Sequence, residues 1–295
     1  MTRLLITGAA GVVGSVLAPR FRDAYPGCIL VERESRGAVP GVQPSTRCDL
    51  ESPASVVRLI EEATPDVVVH LAGNKDVFAL EKNPELATRA NVNTTRHIVD
   101  ALRGGTTFVV FVSSDYVFEG TGGPYRETSP TRPTTEYGKS KLAAEELLRE
   151  SGLPVAIARS SSLFGVHNDF VSTVRTAISR GQIFTAFSDL VSNPTAVTDL
   201  FEMLRRIIDR RMSGVFHVAG PEAASREVFA RKIAVACGLD ATLIRGDKKG
   251  DRIRPPDLSL ENTATYASLG YRPASIDETL RRDLSEEAAA PTIVR

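Results

Sequence analysis

Short, continuously apolar runs alternate with amphipathic segments through the first half of the chain. The apolar runs have the length of strands, are rich in Val, Ile, Leu or Phe, and occupy residues 3–8, 27–32, 66–73, 106–114 and 154–160. Helix-like segments lie between them, at residues 53–63, 84–103 and 140–151. Continuous rather than alternating apolar strands indicate burial on both faces, as in a parallel sheet that helices cover. The pattern therefore predicts an α/β fold with a doubly wound parallel sheet.

The alternation loosens after about Gly165. A further strand candidate at 213–220 and a helix at 225–238 stand among loops that contain Pro and Arg. We expect residues 1–165 to form the main domain and residues 166–295 to form a smaller lobe against the sheet edge. Some segments of the second part are expected to return to the main sheet.

Composition narrows the class of protein. Lys plus Arg and Asp plus Glu balance at 36 each, so no global field favours nucleic acid or a membrane surface. The cysteines, Cys28, Cys48 and Cys237, are far apart, which argues against a disulfide framework or a zinc site. No apolar stretch approaches the length of a membrane span, and the N-terminus lacks the pattern of a signal peptide. We expect a cytoplasmic protein without a metal, whose partner is a small molecule.

A glycine-rich turn follows the first predicted strand. In LLITGAAGVVGSVLA, Gly8, Gly11 and Gly14 stand between that strand and a helix, with Val12 and Val13 inside the turn. Glycines let backbone amides approach a pyrophosphate, and the helix N-terminus adds partial positive charge. In this strand–turn–helix context the motif predicts a dinucleotide site, although a glycine turn without a ligand is the alternative.

The end of the second strand, ILVERESRG, bears on the choice of cofactor. A carboxylate at Glu32 favours NAD, because it can accept hydrogen bonds from the adenosine ribose. Arg33 and Arg36 favour the additional phosphate of NADP. Asp49, in CDLES, either holds the adenine amine or caps the helix that begins near Pro53. The balance favours NAD and leaves NADP open.

Polar residues end the strand FVSSDYVFEG, where a buried strand avoids them unless they are paired. About twenty residues later, Tyr137 and Lys141 are four apart and share a helix face. A lysine ammonium beside a phenol lowers the tyrosine pKa and makes the phenol a usable proton donor. A hydroxyl on the neighbouring strand, for which Ser114 is the best candidate, would polarise a carbonyl. The glycine turn upstream favours this catalytic interpretation over a chance Tyr–Lys spacing.

Several stretches together resemble the extended short-chain dehydrogenase/reductase (SDR) family, and within it the dTDP-4-dehydrorhamnose reductase (RmlD-like) branch. They are TGAAGVVG, SSDYVFEGTGGPYRET, YGKSKLAAE, RSSSLFG and SNPTAVTDL. The resemblance implies a Rossmann fold with a C-terminal substrate lobe, and hydride transfer to or from a keto or hydroxyl carbon of a 4-keto nucleotide sugar. It implies that Ser114 polarises the carbonyl, that Tyr137 donates the proton, and that Lys141 binds the nicotinamide ribose.

Further site residues follow from the same resemblance. Those expected at the cofactor are Leu50, Leu71, Ala72, Gly73, Asn91, Ser113 and Ser161. Those expected at the substrate are Asp115, Tyr116, Ser162, His167 and Asn168, with Arg252 and Arg254 as a clamp for a diphosphate. A solvated loop is the alternative for the two arginines. Ser162 stands where the branch usually has Trp, so the sequence does not name the sugar.

Two other functions stay open. An NAD-dependent nucleotide-sugar epimerase would use the same residues, and a regulatory subunit without catalysis is a role that similar chains fill. The presence of Ser114, Tyr137 and Lys141 disfavours the regulatory role. In similar proteins the helices at 84–103 and 140–151 pair across a two-fold axis, which implies a homodimer. The loop at 119–136 is placed to form a wall or lid over the substrate.

Overall fold

The computed structural model describes residues 2–32, 45–248 and 253–289. The predictions at Arg33, Arg36 and Arg252 lie outside the described residues. The strands, in chain order, are β1 (Leu4–Thr7), β2 (Ile29–Glu32), β3 (Ser45–Arg47), β4 (Val67–His70), β5 (Phe108–Ser114), β6 (Val155–Ser160), β7 (Leu163–Phe164), β8 (Phe184–Phe187), β9 (Val191–Ser192), β10 (Thr195–Ala196), β11 (Gly214–Val218), β12 (Ala224–Ser225) and β13 (Ile244–Asp247).

A seven-stranded sheet in the order β11-β6-β5-β4-β1-β2-β3 forms the centre of the molecule. Its neighbours all pair in parallel, which confirms the predicted α/β fold. Each apolar run of the first half became a strand of this sheet. The edge strand β3 was not predicted, because its sequence Ser-Thr-Arg is short and polar.

Helices cover both faces of the sheet. The helices, in chain order, are α1 (Gly14–Ala24), α2 (Pro53–Ala63), α3 (Val77–Lys82), α4 (Pro84–Ala87), α5 (Thr94–Leu102), α6 (Glu136–Glu150), α7 (Phe170–Ser179), α8 (Val197–Asp209), α9 (Arg226–Ala236), α10 (Thr263–Leu269) and α11 (Ile276–Ala289). One core joins the sheet to α1 and α8, and the other joins it to α2, α5 and α6.

The segment predicted as one helix over 84–103 is divided in the structure. A π-helical stretch, Thr88–Asn93, separates α4 from α5. Such stretches are rare and often occur at functional sites. Here the stretch contains Asn91, whose side chain is buried.

A third core lies in the second part of the chain. It joins α7, α9 and α11 to the parallel pair β8 and β13, around Phe164, Phe229 and Ile233. Strand β11 also comes from the second part, yet it pairs with β6 in the main sheet. Segments after residue 165 thus contribute both to the main sheet and to the third core. The division of the chain into two domains at that residue stays a prediction.

The described residues can also be searched for membrane-spanning helices and for groups of metal ligands. Within 2–32, 45–248 and 253–289, no helix is long and apolar enough to cross a membrane. Within the same ranges, His, Cys, Asp and Glu form no group of three that could hold a metal.

His70 is a buried core histidine, and its ring nitrogens pair with the hydroxyls of Thr7 at 2.7 Å and Thr95 at 3.1 Å. Burial lowers the pKa of His70 to about 3, so the ring is neutral.

Candidate active site

The glycine turn forms at the carboxyl end of β1. Gly8 has φ +76°, and a Cβ there would come 2.7 Å from the amide nitrogen of Ala72. Gly11 donates its N–H to the Gly8 carbonyl at 2.9 Å, and a Cβ at Gly14 would overlap that same carbonyl oxygen. The turn therefore needs glycine at Gly8 and Gly14 for steric reasons. The segment around Ala72 lies against this turn, and its contact with the cofactor stays a prediction.

Asn91 links that segment to α6, the helix that carries Tyr137 and Lys141. Its Oδ1 accepts the N–H of Asn74 at 2.7 Å, and its Nδ2 donates to the Asn74 carbonyl at 3.0 Å and to Ser140 Oγ at 2.8 Å. A Cβ at Gly73 would come 2.9 Å from Asn91 Oδ1. The π-helical stretch thus places an amide where it links the loop after β4 to α6. Ser140 and Asn74 carried no signal in the sequence, because their partners are distant along the chain.

The predicted adenosine end of the site lies beyond β2. Glu32 ends that strand and is only 1 % exposed. The N-cap of α2 is Ser52, whose Oγ accepts the N–H of Ser55, so the capping alternative for Asp49 is wrong. Asp49 instead accepts the N–H of Glu51 at 3.0 Å. Its contact with adenine stays a prediction, as does that of the neighbouring Leu50.

These features fit a dinucleotide. The turn at residues 8–14 presents backbone where side chains would collide, and the helix N-terminus follows directly. Val12 and Val13 are partly exposed in that turn. A carboxylate, that of Glu32, stands at the end of the next strand, and a carboxylate there can accept hydrogen bonds from ribose hydroxyls.

Tyr137 and Lys141 occupy the first turns of α6. Thr135 caps this helix by accepting the N–H of Gly138 at 2.9 Å. Lys141 is 6 % exposed, and its Nζ lies 4.0 Å from the centroid of the Phe111 ring. Burial lowers the pKa of Lys141 to about 7, against the opposing effect of the Glu145 carboxylate.

The expected lowering of the Tyr137 pKa is wrong for the protein by itself. Burial raises the pKa of Tyr137, and the nearby Ser114 side chain opposes the rise only in part. The phenol is consequently protonated at neutral pH, which is the state a proton donor needs.

Ser114 and Asp115 are paired with each other. Ser114 Oγ donates to Asp115 Oδ1 at 2.9 Å, and the N–H of Tyr116 donates to Ser114 Oγ at 3.3 Å. Tyr137 lies close enough to Ser114 for the serine side chain to oppose the rise of the phenol's pKa. The predicted serine and tyrosine are therefore adjacent at the carboxyl end of β5. The Tyr116 ring meets the Tyr137 ring edge-on, with 5.4 Å between centroids.

Ser161 holds the other oxygen of Asp115. Its Oγ donates to Asp115 Oδ2 at 2.7 Å and accepts the N–H of Asn193 at 3.1 Å. Asp115 is 4 % exposed, and burial raises its pKa to about 6 against these hydrogen bonds. Sequence reasoning missed this link, because Asp115 and Ser161 are in different strand–helix units.

Ser113 belongs to a buried ionic cluster instead of standing alone. Its Oγ donates to Glu145 Oε1 at 2.6 Å. Arg159 donates from Nε to Glu145 Oε1 at 3.0 Å and from Nη2 to Oε2 at 2.8 Å, and Arg149 adds a bond at 2.7 Å. The cluster joins α6 to β5 and β6, and so fixes the helix that carries Tyr137. The role of Ser113 at the cofactor stays a prediction.

The loop predicted as a wall or lid is anchored. The Tyr125 hydroxyl oxygen accepts three backbone N–H groups, from Gly120, Thr121 and Gly122, each at 2.9 Å. Tyr125 also donates its own N–H to the Ser259 carbonyl at 2.8 Å. These bonds favour the interpretation as a fixed wall.

The other predicted substrate residues are more widely placed. Ser162 is partly buried after β6, and Arg254 lies with its guanidinium 5.0 Å from the Phe78 ring centroid. His167 and Asn168 are exposed in the turn before α7, where Asn168 has φ +54°. Arg226, which was not predicted, begins α9 and interacts electrostatically with Asp115 and Tyr116.

The parallel sheet, the glycine turn at its first strand and the Ser–Tyr–Lys arrangement define the extended SDR class. The sequence agrees with that class along almost its whole length. The chain belongs to the RmlD substrate binding domain family, whose profile matches residues 1–287.

Three similar proteins place the chain further. It is 31 % identical to a dTDP-4-dehydrorhamnose reductase of Mycobacterium tuberculosis, over 92 % of this chain and 85 % of that protein. It is 30 % identical to methionine adenosyltransferase 2 subunit beta of Rattus norvegicus, over 82 % and 74 %. The crystal structure of dTDP-4-dehydrorhamnose reductase from Bacillus anthracis in complex with NADP shares the fold, with a TM-score of 0.83 at 24 % identity and coverage of 97 % and 99 %.

Proposed function

We propose that the protein is an NAD(P)-dependent reductase of the extended SDR type that reduces a 4-keto nucleotide sugar. The observation that carries the proposal is the proximity of Tyr137 to Ser114, whose side chain opposes the rise of the phenol's pKa, with Lys141 one helical turn further along α6. A reductase of this family at 31 % identity supports the same reaction class.

The chain's own residues would act as follows. Gly8, Gly11 and Gly14 would hold the cofactor diphosphate, and Lys141 would hold the nicotinamide ribose. The bound nicotinamide supplies the hydride. Ser114 would donate a hydrogen bond to the carbonyl oxygen, and Tyr137 would give its proton to that oxygen as negative charge develops there.

The substrate would lie between the sheet and the second part of the chain. Tyr116 stands beside Tyr137, and the anchored loop at 119–136 forms one wall. Arg254 from the C-terminal part would meet a diphosphate, for which a guanidinium suits bidentate contacts. Ser162 supplies no aromatic platform, so we expect the sugar preference to differ from that of Trp-containing members.

We infer NAD as the preferred cofactor, because a carboxylate, that of Glu32, ends β2. The NADP complex of the Bacillus anthracis reductase supports the other choice. Fluorescence titration with NADH and with NADPH decides between them. A Glu32→Gln variant should weaken NADH binding more than NADPH binding if the carboxylate meets the ribose.

A regulatory role is the second candidate, because a methionine adenosyltransferase beta subunit is 30 % identical to this chain. The adjacent Ser114 and Tyr137 favour catalysis over that role. The test is turnover of dTDP-4-dehydrorhamnose by the wild type and by a Tyr137→Phe variant. Loss of turnover in the variant supports the reductase. An inactive wild type that binds a methionine adenosyltransferase supports the regulatory role.

An epimerase would keep its cofactor through the whole cycle, whereas a reductase exchanges it. NAD that stays bound through purification would therefore favour the epimerase.

We also propose a homodimer through the helices at 84–102 and 136–150, and a cytoplasmic location. Light scattering on the purified protein tests the first, and fractionation of the source cells tests the second.

A further inference from the structure

Ser114 has one hydroxyl proton, and two acceptors compete for it. In the structure the hydroxyl donates to Asp115 Oδ1 at 2.9 Å. The reaction proposed above requires the same hydroxyl to donate to a substrate carbonyl. A serine hydroxyl donates only one hydrogen bond at a time. Ser114 therefore cannot polarise a carbonyl while its proton points to Asp115.

The second oxygen of Asp115 decides where a proton on this carboxyl group would lie. Ser161 Oγ donates to Asp115 Oδ2 at 2.7 Å. The Ser161 oxygen itself accepts the N–H of Asn193 at 3.1 Å, which directs the hydroxyl proton toward the carboxylate. Both carboxylate oxygens accept a serine hydroxyl, but the bond to Oδ2 is shorter, at 2.7 Å against 2.9 Å for Oδ1, so we expect a proton taken up by Asp115 to lie on Oδ1. That oxygen faces Ser114.

We propose that Asp115 is a positioning residue that sets the direction of the Ser114 hydroxyl. Neutral Asp115 donates from Oδ1 to Ser114 Oγ and so turns the serine proton toward the substrate carbonyl. Ionised Asp115 accepts the hydrogen bond from the Ser114 hydroxyl, so this proton does not reach the substrate carbonyl. The inference rests on the proposed reductase function, since it needs a carbonyl to be polarised.

The surroundings of Asp115 allow both forms near neutral pH. Burial raises the pKa of Asp115 to about 6, and the bonds from Ser161 and Ser114 oppose the rise. Arg226, at the start of α9, also favours the ionised form. Tyr137 faces Asp115 from α6, and it is protonated and neutral in this pH range.

An Asp115→Asn variant reproduces the neutral form. Its amide oxygen can accept from Ser161, which leaves the amide N–H₂ to donate to Ser114. We expect the ratio of the variant's kcat to the wild-type kcat to rise with pH, by up to about tenfold for each unit above pH 6. Any pH dependence due to Lys141 is common to both proteins and cancels in the ratio. A ratio that is constant with pH, or an Asn variant inactive at every pH, would overturn the proposal.

A second readout needs no turnover. Carbon-13 NMR of protein labelled at the aspartate carboxyl carbons follows the ionisation of Asp115, with Asp115→Asn identifying the signal and exposed Asp100→Asn as control. We expect titration near pH 6, and a higher pKa in Ser114→Ala and in Ser161→Ala, because each removes a bond to the carboxylate. A carboxyl that titrates near 3.8, or that neither variant shifts, contradicts the hydrogen-bond scheme. If the wild type reduces no 4-keto nucleotide sugar, the proposed function fails, while the NMR titration still decides the scheme.

Discussion

Replacing Glu145 with Gln would leave the Arg159 guanidinium buried without a carboxylate. The two side chains are 0 % and 2 % exposed, and two hydrogen bonds of 3.0 and 2.8 Å join them. Gln offers one acceptor oxygen and an N–H₂ group that would face the arginine. Removing one partner of a buried ion pair costs about 3–5 kcal/mol of stability. For a chain of this size that loss corresponds to a melting temperature lower by roughly 10 °C.

The assay is urea and thermal unfolding of the wild type, Glu145→Gln, Arg159→Met and the double variant. The double variant should be more stable than the sum of the single changes predicts, because it leaves no unpaired buried charge. Glu146→Gln is the matched control, since Glu146 is exposed on the same helix, and it should change stability by less than about 0.5 kcal/mol. A Glu145→Gln protein as stable as this control would refute the reasoning.

The same pair predicts a pH dependence. Burial alone would raise the pKa of Glu145, but the bonds and charge of Arg159 hold it below 4.5. A depressed carboxyl pKa contributes stability above the unfolded pKa, and this contribution is lost as pH falls through the folded pKa. The stability gap between wild type and Glu145→Gln should therefore narrow below about pH 4.5. A gap that widens in acid would contradict the assignment of the charges.

Three further outcomes are expected. Tyr137→Phe should lower kcat by about 10²–10⁴ with an unchanged melting temperature, as measured by steady-state kinetics and calorimetry. Gly14→Ala should abolish NADH and NADPH binding in a fluorescence titration, because its Cβ overlaps the Gly8 carbonyl, whereas Gly27→Ala, 3.8 Å from its nearest neighbour, should bind normally. Lys141→Met should flatten the rise of the unfolding free energy between pH 7 and 10.5. In that range the unfolded chain binds a lysine proton that the folded protein lacks. A pH profile of stability unchanged from wild type would contradict the lowered pKa of Lys141.

The sheet could be predicted because its strands are buried on both faces and read as apolar runs. Strand β3 could not, since an edge strand of Ser, Thr and Arg has no such signal. The π-helical stretch at Asn91 also has no local signature, because the bonds of Asn91 to Asn74 and Ser140 come from distant parts of the chain. Periodicity alone therefore predicted a single helix there.

The chemistry of the site was predictable in residue type and less so in electrostatics. The hydroxyls and carboxylate ending β5 pointed to a paired cluster, and the structure pairs Ser114 with Asp115 and Ser113 with Glu145. The Tyr–Lys spacing indicated a shared helix face, but the pKa of Tyr137 depends chiefly on burial, and the Lys141 Nζ lies over the Phe111 ring. Those contacts arise only when the strands and α6 come together.

The most direct test of the central claim follows a deuterium label. The purified protein would be given dTDP-4-dehydrorhamnose and NADH or NADPH deuterated at nicotinamide C4, and the sugar product examined by mass spectrometry and NMR. The proposed reductase predicts one deuterium at sugar C4, with equal oxidation of the nicotinamide, and loss of both in Tyr137→Phe. A nicotinamide that stays reduced, or a sugar that changes without acquiring deuterium, would contradict it.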